Sequence, residues 1–381
     1  MVLRSSTPLL RLVALSFAVY GCSSLIGLGS LERVDCVDDC GGSSGGDAAL
    51  AGAGAGDGGR TTDFGGAPGA GAGGAASAHA GAQALAGTAG TPSDPPGDAG
   101  AAGAAGAPNS SACPGGPAPV AQWTEHWFEH DQVLTRVSYD DCAVVYFDAE
   151  VPSATSGWLS PFVSKAWAYT VSTYGTLGPE RVYAVFHQDK YFGGHSATFM
   201  EASHDFHNTI DAGSSDWSQN YADITLTLLG FITESTAAHT KFGSPAGALW
   251  GSGNKWEELY KYDVYLGLGL NDQATAAFNK YSALSVSYPR ANTFWFRDWF
   301  YPLWRDHGHA QVMVNFYGLL EKYYPATNQQ MGAMNWGEYV HFSSGAAHTN
   351  LKPLATAAFG WPAEWDSQFL QAQTDYPEIT Y

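Results

Sequence analysis

The sequence predicts an α+β domain, with a small N-terminal sheet packed on a mainly helical C-terminal half. Three observations lead there. Order is confined to the later part of the chain: about 44 of the 70 residues 41–110 are Gly or Ala, whereas all 13 Trp fall after residue 120. The first stretch of that Trp-bearing part carries β-branched and aromatic runs. Beyond residue 221 the apolar residues recur at helical spacing instead. The predicted organisation is a signal at 1–22, a Gly/Ala-rich tether at 23–111 and one globular domain at 112–381, with roughly 260 residues available for a core.

The elements follow in order. VLTRVSY, an Asp140-Asp141 turn and CAVVYFD read as a hairpin. Ser160-Pro161 opens a helix, with Ser as cap and Pro at its first position. Its apolar residues Phe162, Val163, Ala166, Trp167 and Val171 share a face, and Gly175 closes it. RVYAVFH (181–187) is a buried strand, and 188–217 is Gly- and His-rich with short strand-like pieces. Helices are predicted over 221–239, 255–266, 272–284, 293–304, 312–324 and 351–359.

Charge narrows the function classes. The chain carries a formal −19, and the part after residue 120 holds 13 basic and 27 acidic residues, a net of −14. Nucleic acid is therefore not an expected partner, because a basic surface is needed to displace counterions from phosphate.

The N-terminus reads as an export signal. Arg4 and Arg11 precede an apolar run from Leu12 to Tyr20 that is too short for a permanent span. Val19-Tyr20-Gly21-Cys22 resembles the lipobox of bacterial lipoproteins. That resemblance implies lipidation at Cys22, a membrane partner through the lipid, and a cell-envelope location at the outer membrane or surface. Of the five cysteines, Cys36, Cys40, Cys113 and Cys142 remain. Three pairings are open, and proximity favours Cys36 with Cys40 and Cys113 with Cys142.

No H-E-x-x-H motif is present, although His126-Trp127-Phe128-Glu129-His130 matches the inverted H-x-x-E-H spacing. On a strand, His126 and His130 would lie about 13 Å apart, too far to share an ion. His187, His195, His204 and His207 are interleaved with Asp189, Glu201, Asp205 and Asp211 and form the main metal candidates, with His239 beside them. His341 and His348 flank a Ser-rich stretch, but no G-x-S-x-G elbow accompanies them.

The order of an apolar helix, Gly243-Ser244-Pro245-Ala246, Lys255-Trp256-Glu257-Glu258 and Tyr262-Asp263-Val264-Tyr265 resembles secreted bacterial metallopeptidases of the gluzincin kind over about 50 residues. The resemblance implies a zincin-like layout, zinc as the cofactor to consider, and Glu234 and Glu258 as candidate catalytic carboxylates. Where paired His should fall, around Thr227 to Phe231, the chain reads TLLGF, so the standard zinc motif is degenerate.

The densest aromatic run includes Trp295, Trp299 and Tyr301 beside Arg297. It reads as core by spacing and as a binding platform by composition. Three readings stand together. One is a tethered metallopeptidase-like domain without a standard zinc site, binding peptide or glycan in its cleft. Another is an active metal-dependent hydrolase with non-standard ligands. The third is an aromatic-rich carbohydrate-binding or adhesion module.

Overall fold

The computed structural model describes residues 112–381 apart from 129, 176, 192, 215, 216, 218–221 and 251–254. The signal, the lipobox, the tether and the Cys36–Cys40 pair lie outside the described residues, which all belong to one compact unit. Among them no helix is long and apolar enough to cross a membrane.

The domain is mixed α and β, with the sheet in the N-terminal half and helices through the C-terminal half. The strands are β1 (Gln122–Thr124), β2 (Val133–Tyr139), β3 (Ala143–Phe147), β4 (Val182–Gln188), β5 (Gly193–Ala197) and β6 (Thr209–Ser214). Their spatial order is β1-β2-β3-β4-β6-β5. The β2–β3 hairpin is antiparallel, and the Asp140 side chain accepts the N–H groups of Cys142 and Ala143 at its turn. Strands β3, β4 and β6 run parallel, and β5 returns antiparallel as the edge. A disulfide joins Cys113 to Cys142 at the start of β3.

Period-2 alternation gives the sheet two buried faces. Val145, Phe147, Ala184, Phe186, Ile210 and Ala212 point into the main core with the helices. Val144, Tyr146, Tyr183 and Val185 point the other way, into a smaller core closed by Trp123, Trp127 and Leu134. Full burial of one such side chain contributes roughly 1.5–3 kcal/mol. Those closing residues come from β1, β2 and the segment 125–132 between them, so that segment is a cover on the far face of the sheet.

Helix α1 (Ser156–Tyr174) packs on β2 and β3, and α2 (Ala222–Ala237) packs on β5 and β6. Helix α1 starts at Ser156 rather than at Ser160, so Pro161 lies inside it. A short 3-10 turn at Ser153–Thr155 feeds the helix. Helices α3 (Gly247–Trp250), α4 (Trp256–Gly267) and α5 (Asn271–Ala283) follow. The aromatic run forms a π-helical turn, Phe296–Phe300, continuing into α6 (Tyr301–Asp306). Then come α7 (Ala310–Tyr323), α8 (Trp336–Ala347), α9 (Lys352–Phe359) and α10 (Ala363–Asp375). A two-residue ladder, β7 (Ala326–Thr327) with β8 (Gln330–Met331), sits between α7 and α8.

The binding-platform expectation for Trp295 and Trp299 is corrected here. Both are fully buried, and their indole N–H groups donate to the Tyr288 carbonyl and the Tyr339 hydroxyl. No face is left for a sugar. Tyr301 is half-buried against Phe278 and Phe296, and exposed Arg297 is held by Asp298.

Candidate metal centre

Four side chains from four places in the sequence meet on the far face of the sheet. Glu125 follows β1, His130 lies in the covering segment, His187 is near the end of β4, and Asp211 is in β6. One donor atom from each lies within 4.8 Å of the other three. His187 Nε2 stands 2.9 Å from Glu125 Oε1 and 3.0 Å from Asp211 Oδ1. His130 Nδ1 stands 3.0 Å from Asp211 Oδ2 and 3.5 Å from Glu125 Oε1. Glu125, His187 and Asp211 are almost wholly buried.

Strand register produces this meeting. Residues 183, 185 and 187 of β4 share a face, as do 209, 211 and 213 of β6. Asp148 directly follows β3 on the same side. His187 and Asp148 thus lie at the carboxyl ends of the parallel strands β4 and β3, where open α/β sheets commonly place their sites, and Asp211 faces them from within β6. Gly213 makes room for the neighbouring loop: a Cβ there would stand 2.0 Å from the Tyr191 carbonyl oxygen. That loop stacks the Tyr191 ring on His130, with centroids 3.5 Å apart.

The surroundings orient each donor. Asp148 accepts the N–H groups of Glu150, Val151 and Gln188, and its Oδ2 lies 3.2 Å from His187 Nδ1. Asp148 thus takes the Nδ1 side of His187 and leaves Nε2 facing Glu125 and Asp211. A carboxylate fixing the far nitrogen of an imidazole is the usual support of a metal-ligating His. Trp127 donates its indole N–H to Asp211 Oδ2 at 2.8 Å, and the Gln132 N–H donates to Glu125 Oε2 at 3.1 Å.

One feature separates this cluster from an ordinary ion-pair network. Glu125 Oε1, His187 Nε2 and Asp211 Oδ1 are shielded from solvent and make no aligned hydrogen bond. They are close in space, with Glu125 Oε1 and Asp211 Oδ1 at 2.9 and 3.0 Å from His187 Nε2. Leaving such groups unpaired costs about 1–3 kcal/mol each. Ligands around a tetrahedral ion show this relation, separated from one another by about 3.4 Å when each lies about 2.0–2.2 Å from the metal. The donor set fits a first-row divalent cation, since imidazole and carboxylate both suit zinc, manganese and iron.

The electrostatics also call for positive charge here. Burial would lower His187, but the carboxylates of Asp148, Asp211 and Glu125 around the ring outweigh it and lift it to about 11. His130 is raised to about 9, again with burial opposing and Asp211 and Glu125 prevailing. Burial raises Glu125 and Asp211, and their imidazole neighbours more than reverse this and hold both below the usual carboxylate range.

Two expected histidines adjoin the centre. His195 lies directly across from Asp211, with Nε2 3.6 Å from Asp211 Oδ2, and His204 Nε2 lies 3.0 Å from His195 Nε2. Burial lowers both, taking His204 to about 3. The other candidates lie apart. His207 pairs with Glu180 and stacks on Tyr183, and exposed His239 pairs with Glu321. Glu234 accepts both the N–H and the hydroxyl of Ser244, and Glu258 pairs with Lys255. His126 and His130 do not act together, because the cover bends after β1: His126 faces Asp205 while His130 faces Asp211. Glu129 of the inverted motif lies outside the described residues. His341 is occupied by the Tyr381 hydroxyl and the Tyr376 carbonyl.

Sequence reasoning missed Glu125 and did not bring His130 to the centre. A signal for the site existed in Asp211, a carboxylate inside the apolar strand TIDAG, where an acid is rarely buried without a cation or a donor set. No protein-family model matches this chain, and no curated protein or solved structure matches it.

Proposed function

We propose that this chain is a divalent-metal protein of the cell envelope, in which Glu125, His130, His187 and Asp211 hold one first-row cation on the sheet. The observation that carries the reading is the convergence of three buried donor atoms that make no aligned hydrogen bond, Glu125 Oε1, His187 Nε2 and Asp211 Oδ1. With four protein ligands and little exposure this centre has the closed form of a structural site. The ion would clamp the 125–132 cover onto β4 and β6, so its binding energy becomes folding energy.

The metallopeptidase-like reading draws support from the layout, a mixed sheet packed on α2 with an acidic helix, α4, behind it. In that layout the helix position carries no imidazole, and its carboxylates serve Ser244 and Lys255. The metal belongs to the sheet instead. The lipid anchor at Cys22 rests on the sequence, and the Cys113–Cys142 disulfide suits an oxidising compartment.

Elemental analysis of the purified full-length chain after desalting is expected to find at least one zinc, manganese or iron per chain, and one ion fewer after His187→Ala. A stripped protein that takes up no Zn²⁺ in titration and unfolds at the same temperature with and without it would overturn the proposal. For the anchor, Cys22→Ser is expected to abolish labelling by a fatty-acid probe, and persistent labelling would remove it.

A further inference from the structure

The helical side of the domain encloses a cleft that the metal centre does not use. It lies among α1, α2, α4 and α5, whereas Glu125 and His130 lie on the far face of the sheet. Its volume is about 430 Å³, within the range of small-molecule sites. Helical spacing supplies the lining. Trp158 and Phe162 stand one turn apart on α1, half-buried, with ring centroids 6.3 Å apart. Gln273, Ala277 and Lys280 recur on one face of α5. Asp223, in the first turn of α2, and Tyr265, near the end of α4, add polar groups.

The Asp223 carboxylate is shared. Its Oδ1 accepts the Tyr281 hydroxyl at 3.2 Å, and its Oδ2 lies 3.4 Å from Lys261 Nζ and 3.7 Å from Lys280 Nζ. Burial raises Asp223, but the two lysines and Tyr281 more than reverse this and keep it ionised. Tyr265 differs. It is only 6 % exposed, yet no hydrogen bond to a described residue occupies its hydroxyl. Burial and the Asp223 charge outweigh Lys261 and hold its proton on, so the hydroxyl can both donate and accept. A phenol buried this deeply ordinarily finds a partner, and a ligand in the cleft would supply one.

These groups select by chemistry. A carboxylate or phosphate would face Asp223, and an amine would face Lys261 and Lys280. A hydrocarbon would strip water from Asp223, Lys280 and Tyr265 and return no hydrogen bond. A sugar ring meets both needs. Each hydroxyl donates and accepts, and the C–H face packs on an aromatic ring. We propose that this cleft binds a neutral carbohydrate, with a ring against Trp158 and hydroxyls on Asp223, Tyr265 and Gln273.

The test uses the full-length chain and neutral trisaccharides of glucose, mannose, galactose and N-acetylglucosamine. Saturation-transfer NMR at millimolar sugar finds the binder, and calorimetric titration measures it. At least one sugar is expected to bind, with an affinity that is the same at low and high salt. This measurement needs no variant, so it decides even if a substitution prevents folding. Tyr265→Phe removes one hydroxyl and should weaken binding about five- to tenfold. Trp158→Ala should weaken it further. Binding of none of the four overturns the proposal. Wild-type affinity in both variants overturns it too, because the sugar would then sit elsewhere. A salt-sensitive preference for a glucuronate or glucosamine trisaccharide overturns the neutral class.

Discussion

The sheet and helix α4 each bury acidic side chains, and they resolve the cost in opposite ways. On the sheet, Glu125, Asp148 and Asp211 are held ionised among imidazoles, with donor atoms facing one another around a common point. In α4, burial pushes Glu257 well above the ordinary carboxyl value despite Lys261, and raises Glu258 despite Lys255. The first region keeps its carboxylates charged beside imidazoles that they hold charged in turn. The second removes charge by protonation or pairs it locally. Burial of an acid is therefore no guide to function by itself. What distinguishes the sheet cluster is that donor atoms from four separate segments lie within 4.8 Å of one another.

The largest expected difference between the regions is in their response to chelator. If the ion is present at a thousandfold over its dissociation constant, its removal costs about 4 kcal/mol of stability. Thermal unfolding of the wild type should show that loss. Asp211→Asn should be insensitive to chelator because its centre is already lost. Glu258→Gln should keep both the wild-type metal content and the chelator response. Loss of metal in Glu258→Gln would break the comparison, since it would tie the helical carboxylates to the same ion. Metal uptake should also strengthen with pH between about 6 and 9, because binding must displace protons from imidazoles that the carboxylates hold charged. The expected slope is about tenfold per pH unit for each proton released.

The sheet was legible in large part because its signals are local. The β2–β3 hairpin follows from β-branched runs around an Asp-Asp turn, and β4 from an unbroken apolar stretch. Most helices follow from spacing. Helix α8 was missed even though Asn335 and Glu338 form a capping box at its start. Its Ser343-Ser344-Gly345 stretch is a weak helix former, and what stabilises it is tertiary. A Cβ at Gly345 would meet Ile379 at 2.2 Å, and one at Gly337 would meet the α10 backbone at 2.2 Å. The candidate metal centre was hidden for a related reason. Metal motifs are legible when two ligands share one helix, whereas here 86 residues separate Glu125 from Asp211 and only the sheet register unites them.

A smaller effect tests whether the sheet's carboxylates act through orientation. Asp148 touches only the far nitrogen of His187, so it is a positioning residue. Asp148→Asn keeps its shape but offers an amide in place of the charge that fixes the imidazole tautomer. Metal affinity is expected to fall 10–100-fold, the usual cost of losing such a partner, with stoichiometry at saturation unchanged. Competition titration against a zinc chelator measures this. An unchanged dissociation constant would show that His187 needs no help, and complete loss of binding would place Asp148 among the ligands.

The smallest effect belongs to the helical side and concerns protonation alone. The Glu257 pKa in the folded protein is raised above its ordinary value of 4.5, so the folded state keeps a proton that the unfolded chain gives up. The folded state then binds more protons in that interval, and stability must fall as pH rises from about 4.5 toward the raised value. The slope is at most about 1.4 kcal/mol per pH unit for this one group. Glu257→Gln replaces the protonated acid with a neutral amide of the same size. It should remove that slope while leaving metal content untouched, and denaturant unfolding of both proteins from pH 5 to 8 measures it. If the variant retains the slope, Glu257 is ionised in the folded state, and α4 would have to hold charge as the sheet does.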